Sequence, residues 1–464
     1  MLCLFYKFLE SFVPVQQALS FFARMGNTPL APLKGGIAWA RARIALLVAG
    51  LFFSAHLHAA TYEARPGEDL RAFMNKLAPG DTLLLRGGSY PLESLRIDKQ
   101  GAPEKYIVIA SAPNEKPVLT AISPQHNLIS IRSAAYMVID GVTIDGTPLN
   151  VDAIKFEHGH ASHDVIIQNC EIKNFRGVAI NSKGEDHHIT VRNCHIHHSS
   201  GGVGEAFYIG MQDGRVTPHH WLIENNLIHD TAGRQGDGIE LKYGVHSSVL
   251  RDNVVFNTQY PAILSYGVKG GNEDRSRSNV IEGNVVFDTK EGIGAYADAV
   301  VRNNIVFNCK FGYLSRPHRK PPQNLEVYNN TFYGCGTLYF EGWSEERRCL
   351  FVNNAAYDIK RGAQLKGTGV FENNLGNITA AGFRFSETEK DLTAPHELNF
   401  YPTTNSALRD GASAHPVATF DFNQQERDAR PDIGAFEWNR EKNFGGPLAR
   451  TFKVVKRQAA TLKQ

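Results

Sequence analysis

Residues 222–228 read Leu-Ile-Glu-Asn-Asn-Leu-Ile, an aliphatic stretch that meets a short polar pair and returns at once to aliphatic residues. The same pattern recurs as IIQNCEI (166–172), ITVRNCHI (189–196), VLRDNVV (249–255), VIEGNVV (280–286), VVRNNIV (300–306), LEVYNNTF (325–332), LFVNNAAY (350–357) and VFENNLGN (370–377). The polar pairs, from Asn169/Cys170 through Asn225/Asn226 to Asn373/Asn374, are 20 to 32 residues apart. A helical solenoid needs two amphipathic helices per repeat. Here the apolar residues come in runs of four to seven rich in Val, Ile and Phe, broken by Gly and Asn, which are strands. About three short strands per repeat make one coil of a parallel β-helix, each coil stacking on the last at about 4.8 Å. Equivalent residues then form columns. Asn suits a bend column because it tolerates the left-handed conformation and its amide can bond to the amides above and below. The pairs therefore predict an asparagine ladder that holds a turn and takes no part in chemistry.

The 464 residues are 42% hydrophobic and 21% charged, enough for one elongated repeat domain. Lys+Arg (49) nearly balance Asp+Glu (47), so bulk charge gives no reason to expect nucleic acid. Residues 1–60 read as a targeting region: Arg41 and Arg43, an apolar run from Ile44 to Ala55, then Ala59 and Ala60, the pattern of a secretory signal peptide, with Met25 an alternative start. That run is too short for a spanning helix, which needs about 20 residues. The expectation is an exported, periplasmic or extracellular monomer with no transmembrane span in the mature chain. Cys170 and Cys194 share a column, as do Cys309 and Cys335; each pair reads either as a disulfide or as stacked buried thiols.

Residues 61–380 form the repeat domain. Asp69 to Leu77 has helical spacing with Leu70, Phe73, Met74 and Leu77 on one stripe, a helix that caps the open end of the solenoid. Residues 381–464 lose the repeat and read as an irregular wrap over the last coils, ending in a basic tail.

Each coil has a further strand after a Gly or small residue: GVAINSK, AFYIGMQ, GIELKYG, AILSYGV, GIGAYAD, GYLSRPH and TLYFEGW. Aligned, they give one outward column: Asn181, Gly210, Lys242, Tyr266, Tyr296, Arg316 and Glu341. Lys242 to Arg316 then spans about 14 Å, a few sugar units, and Glu240 shares their face. Such an array suits β-elimination of a uronic-acid polysaccharide, which needs a cation to neutralise a carboxylate and a base to take the adjacent proton. Lys242 or Tyr266 is the expected base, its pKa lowered by neighbouring positive charge, and Arg316 the carboxylate binder. Glu240, Tyr296, His318, Arg319 and Trp343 complete the expected substrate contacts. Outward Lys and Tyr equally read as a solvated face. His195, His197 and His198 could bind a metal but read first as ordinary surface or satisfied histidines; Asp230 and Asp237 could form a calcium site, with nothing specific in their spacing. Hydrolysis wants two facing carboxylates, and Glu240 has Leu264 and Gly294 as column neighbours.

The ladder, with LIENNLIHD and GDGIELKYG, resembles the right-handed parallel β-helix superfamily of pectate-lyase-like proteins, which implies an all-β solenoid. The stretches GEDLRAFMNKLAPGDTLLLRGGSY, YIVIASAPNEKPVLTA and YMVIDGVTI are similar to the start of chondroitinase B and related alginate lyases. That resemblance implies a Lys base, matched by Lys242, an Arg on the next coil and calcium assistance. Where the family has Leu-Arg-His-Gly, this chain has Leu264-Ser265-Tyr266-Gly267, so the Arg does not carry over. RPDIGAFEW resembles the closing segment of many secreted β-helix proteins. Together these features predict an exported polysaccharide lyase acting on an acidic glycan, with a non-catalytic glycan-binding protein or a C5-epimerase of the same fold as the alternatives.

Overall fold

A computed structural model describes residues 59–147 and 149–440. Within them the chain winds through three parallel sheets of 13, 13 and 11 strands, with one strand in each sheet from every coil but those at the two ends. We call these the first sheet (Thr61–Ala64 through Val370–Glu372), the second (Gly88–Leu92 through Phe383–Phe385) and the third (Leu95–Ile97 through Ala363–Thr368). The interior is a continuous column of aliphatic residues, for instance Ile167, Ile172 and Ile180 on one coil and Ile223, Ile228 and Ile239 two coils on, all fully buried.

The polar pairs sit at the bend between the first and second sheets, and the two positions divide the work. The first residue of each pair, from Asn169 to Asn373, has φ between 51° and 64°, the left-handed conformation Asn and Gly tolerate. The second is wholly buried in the ladder. The Nδ2 groups of Asn226, Asn253, Asn284, Asn304, Asn330 and Asn354 each donate to the Oδ1 of the next Asn at 2.9–3.1 Å, ending on Asn374. Each Oδ1 also accepts a backbone N–H from the coil before it, as Asn304 Oδ1 does from Asn284. The buried ladder amides are thereby paired. Cys170 and Cys194 occupy the ladder position on the earlier coils, and Cys194 N–H donates to Asn226 Oδ1 at 2.9 Å. All five described cysteines are free, buried thiols, so the stacked-thiol alternative is the one this structure adopts.

Helix α1 (Leu70–Lys76) forms as the apolar stripe predicts, N-capped by Asp69, with Leu70, Met74 and Leu77 joined to the solenoid core. The described part of the C-terminal segment packs on the last coils. Phe400, Tyr401, Leu408, Phe422, Ile433 and Phe436 pack on the outer face of the second sheet, against Phe256, Phe287, Phe307, Tyr333 and Tyr357. First-position asparagines of the last coils anchor it: Asn303, Asn329, Asn353 and Asn373 donate to the carbonyls of Phe420, Asp432, Ala414 and Gly411. Within RPDIGAFEW, Asp432 O and Glu437 accept from the buried Arg427, which also reaches Asn303 Oδ1 at 3.2 Å. The signal-peptide region and the basic tail lie outside the described residues. No described helix is long and apolar enough to cross a membrane.

Candidate active site

The third sheet carries the predicted column, with one slip. Tyr208 pairs with Glu240 and Glu240 with Leu264, while Leu241 pairs with Ser265, which aligns Lys242 with Tyr266 one step further. Asn181 pairs with Tyr208, so it belongs to the Glu240 column; Lys183 takes its place beside Gly210 and Lys242. Gly177 stands further ahead of the core residue Ile180 than Gly238, Ala262, Gly292 and Gly312 stand ahead of Ile239, Ile263, Ile293 and Tyr313, so aligning the coils by their leading Gly or small residue shifts this coil by two.

Ile239 and Leu241 point into the core, which turns Glu240 and Lys242 outward. Neither is a solvated surface group, as expected of an outward column: Glu240 is 1% exposed and Lys242 5%. Lys242 Nζ lies 2.5 Å from Glu240 Oε1, 4.3 Å from the centre of the Tyr208 ring and 5.2 Å from that of Tyr266. Lys183 Nζ sits 3.1 Å from the Tyr208 ring and donates to Gly210 O at 3.3 Å. Two lysines thus share one aromatic ring. Tyr266 meets Tyr296 edge to face at 5.4 Å, and the His318 ring leans on Tyr266 at 4.3 Å. The exposed Arg316 stands 5.7 Å from the Tyr296 ring. Lys242, Tyr266, Tyr296, Arg316 and His318 accordingly share one face, with Arg319 beside His318 in the chain.

Trp343 does not belong here. It is 1% exposed and packs inside the solenoid against Tyr313, Phe340 and Phe371, because the β-bulge in Thr337–Ser344 turns it inward. The Asp230/Asp237 calcium site is likewise not formed. Asp230 bonds to His229 and Asn257 on the second sheet, whereas Asp237 stands with Glu205 and Glu240 on the third.

The Glu205, Asp237 and Glu240 group is the feature the sequence reading missed. One carboxylate oxygen from each lies within 4.8 Å of the others, and the residues are 0%, 4% and 1% exposed. Both oxygens of Glu205, Asp237 Oδ1, Glu240 Oε2 and Asn181 Oδ1 are buried without a hydrogen-bond partner. Orphaned buried oxygens are costly, and an all-oxygen donor set is what a hard divalent cation such as calcium takes. The residues fit that ion. Without it, burial and the Glu240 charge push Glu205 up to about 9, and burial with Glu240 and Glu205 pushes Asp237 well up.

On the basic side, burial and then the Lys242 charge bring Lys183 down to about 7. Burial and the Glu240 carboxylate raise Tyr266 well above the usual phenol range, and Tyr208 and Tyr296 are raised, chiefly by burial. The shift of Tyr266 is thus upward, opposite to the lowering expected from its charged neighbours. The Tyr296 hydroxyl beside Arg316 raises the guanidinium further.

A family model described as the right handed beta helix region matches residues 127–375, more than half of the chain. No curated protein matches it in sequence. Among solved structures, pectate lyase Pel9A is similar over 82% of this chain and 96% of its own, with a TM-score of 0.51 at 15% identity. A mutant of the PL6 family alginate lyase AlyGC gives a TM-score of 0.50 at 17% identity over 78% of this chain, which spans 60% of that enzyme. At such identities the likeness is one of fold. The coil architecture, the asparagine ladder and the family match agree: this chain belongs to the right-handed β-helix family.

Proposed function

We propose that the protein is an exported polysaccharide lyase that cleaves an acidic, uronate-containing glycan by β-elimination on the outer face of the third sheet. The observation that carries this reading is the Lys183/Lys242 pair around Tyr208, set beside the buried carboxylate group. A base works best with a pKa near the operating pH, and Lys183 meets that condition. Lys242, paired with Glu240, supplies positive charge where the enolate develops.

In the reaction, Lys183 takes the proton on the carbon beside the uronate carboxylate. The electron pair forms the new carbon–carbon double bond as the glycosidic carbon–oxygen bond breaks. Tyr266, held as a phenol, is the group placed to protonate the departing oxygen. A divalent cation held by Glu205, Asp237, Glu240 and Asn181 would supply neutralisation of the reacting carboxylate. Arg316 stands about 14 Å from Lys242 along the column. It serves a second carboxylate further along the chain, and Tyr296 and His318 line the path between.

The test is absorbance of the unsaturated uronate product with alginate, pectate, chondroitin and heparan-type substrates. We expect a rise with one of them that disappears in Lys183→Ala and in Lys242→Ala. No rise with any acidic glycan removes the lyase reading. Binding without turnover, surviving Lys242→Ala and lost in Tyr266→Ala, would make the face a stacking platform instead.

A further inference from the structure

The second sheet of the same coils carries a different donor set. Glu171 pairs with His195 and His195 with Leu227, while Lys173, His197 and His229 form the adjacent column. The intervening Ile172, Ile196 and Ile228 face the core, so these side chains share the outer face. His195 Nε2 lies 2.7 Å from His229 Nε2, and His197 Nε2 lies 3.2 Å from Glu171 Oε1. Single donor atoms of Glu171, His195 and His197 fall within 4.8 Å of one another.

We propose that Glu171, His195, His197 and His229 form a binding site for a borderline divalent transition-metal ion such as zinc, distinct from the oxygen-donor group of the third sheet. Imidazole nitrogens with one carboxylate are the ligands such ions prefer over calcium. Donors on one zinc ion, bound at about 2.0–2.2 Å, stand roughly 3.3 Å apart; Glu171, His195 and His197 already bring one donor atom each within 4.8 Å of the others, and His229 Nε2 adjoins His195 Nε2 at 2.7 Å.

The surroundings orient the donors as partners of metal ligands do. His229 Nδ1 donates to Asp230 Oδ2 at 2.7 Å, which leaves the Nε2 lone pair directed at His195. Glu171 Oε2 accepts from Lys173 Nζ at 3.1 Å and from Thr143 Oγ1 at 3.2 Å, which frees Oε1 on the histidine side. His197 Nδ1 is held by His198 Nδ1 at 2.5 Å. The other histidine ladder is a contrast. His163, His187, His219 and His246 stack face to face at 5.0–5.2 Å; Asp164 bonds to the end ring His163, and among the described residues no three donor atoms gather there.

The experiment is a cobalt(II) titration of the untagged full chain, read in the visible region. Four-coordinate nitrogen and oxygen ligation gives strong ligand-field bands, displaced by zinc and unaffected by calcium. We expect one such ion per chain. The affinity should fall by about a hundredfold or more in His195→Gln/His229→Gln and in Glu171→Gln, and stay unchanged in His187→Gln/His219→Gln. Only the weak spectrum of hexaaqua-like cobalt, bands that survive the first two variants, or bands lost in the ladder variant would each overturn the proposal. Anomalous scattering from zinc-soaked crystals of the unmutated protein gives an answer independent of how the variants fold. The proposal requires a peak among these four residues and fails if zinc sits elsewhere.

Discussion

If Lys183 is the base, its proton affinity must be set partly by Lys242, and the size of that effect follows from the geometry. The two ammonium nitrogens lie 3.1 and 4.3 Å from the same ring centre, so they are no more than about 7.4 Å apart. At an effective dielectric of about 20, two unit charges at that separation repel by roughly 2 kcal/mol, or about 1.5 pKa units. Lys242→Met removes the repulsion and also leaves Glu240 without its ammonium partner, and both changes favour protonated Lys183. Its pKa should rise from about 7 toward about 8.5. In the unmutated protein, kcat/KM should climb with pH through about 7, because the neutral amine is the active form. Carbon-13 NMR of lysine labelled at Cε follows the titration directly in both proteins, whether or not the variant retains turnover. A Lys183 resonance that titrates in the ordinary lysine range, or one that does not move upward in Lys242→Met, would refute the reasoning.

Calcium should raise the melting temperature, with the increment growing toward alkaline pH because the ion must displace protons from Glu205 and Asp237, and Glu205→Gln should abolish it; at a hundred times the Kd the gain is about 2.7 kcal/mol. Asn330→Ala should cost roughly 3 kcal/mol or more in chemical denaturation. It strips the acceptor from Asn304 N–H and Nδ2 and the donor from Asn354, at about 1–3 kcal/mol per orphaned group. Trp343→Ala should destabilise by about 3–5 kcal/mol while leaving glycan affinity of the folded protein unchanged, because the ring fills the core. Arg316→Lys should lower kcat/KM on long substrates about tenfold and on the shortest ones hardly at all, since a point charge cannot match the fork on a remote carboxylate.

The architecture was legible because it repeats. Nine polar pairs report the same bend, and a misread coil is corrected by its neighbours. The capping helix was legible for a different reason: Asp69 and a stripe of four apolar residues leave one amphipathic solution. The site does not repeat, and there the reading lost residues. Lys183 was missed by a two-residue slip. Glu205 was missed because it lies just before the stretch AFYIGMQ that defined its coil. Lys242 was located, but its burial depends on Tyr208 and Tyr266 from adjacent coils. Trp343 was assigned outward because a bulge that reverses its direction leaves no periodic mark.

The carboxylate group that the reading missed has its structural origin in the bend from the second to the third sheet. Ser199, Thr231 and Thr258 lie in register on successive coils. On the first two of these coils the hydroxyl closes a bend to a carbonyl five residues on, Ser199 to Gly204 O and Thr231 to Gly236 O. On the later coils it reaches only two residues, Thr258 to Tyr260 O and Thr289 to Glu291 O. The two longer bends pass through Gly204 and Gly236 at φ 70° and 60°, and at Gly204 a Cβ would stand 2.2 Å from the Cα of Gly233, so no other residue fits. Directly after these bends come Glu205 and Asp237. The three residues inserted in two coils therefore bring both acids to Glu240, and a uniform period read along the sequence cannot register an insertion that only those two coils possess. The strands His195–Gly201 and Leu227–Gly233, which run into the same bends, also carry His195, His197 and His229. Departure from the repeat, rather than the repeat itself, marks the coils where chemistry is concentrated.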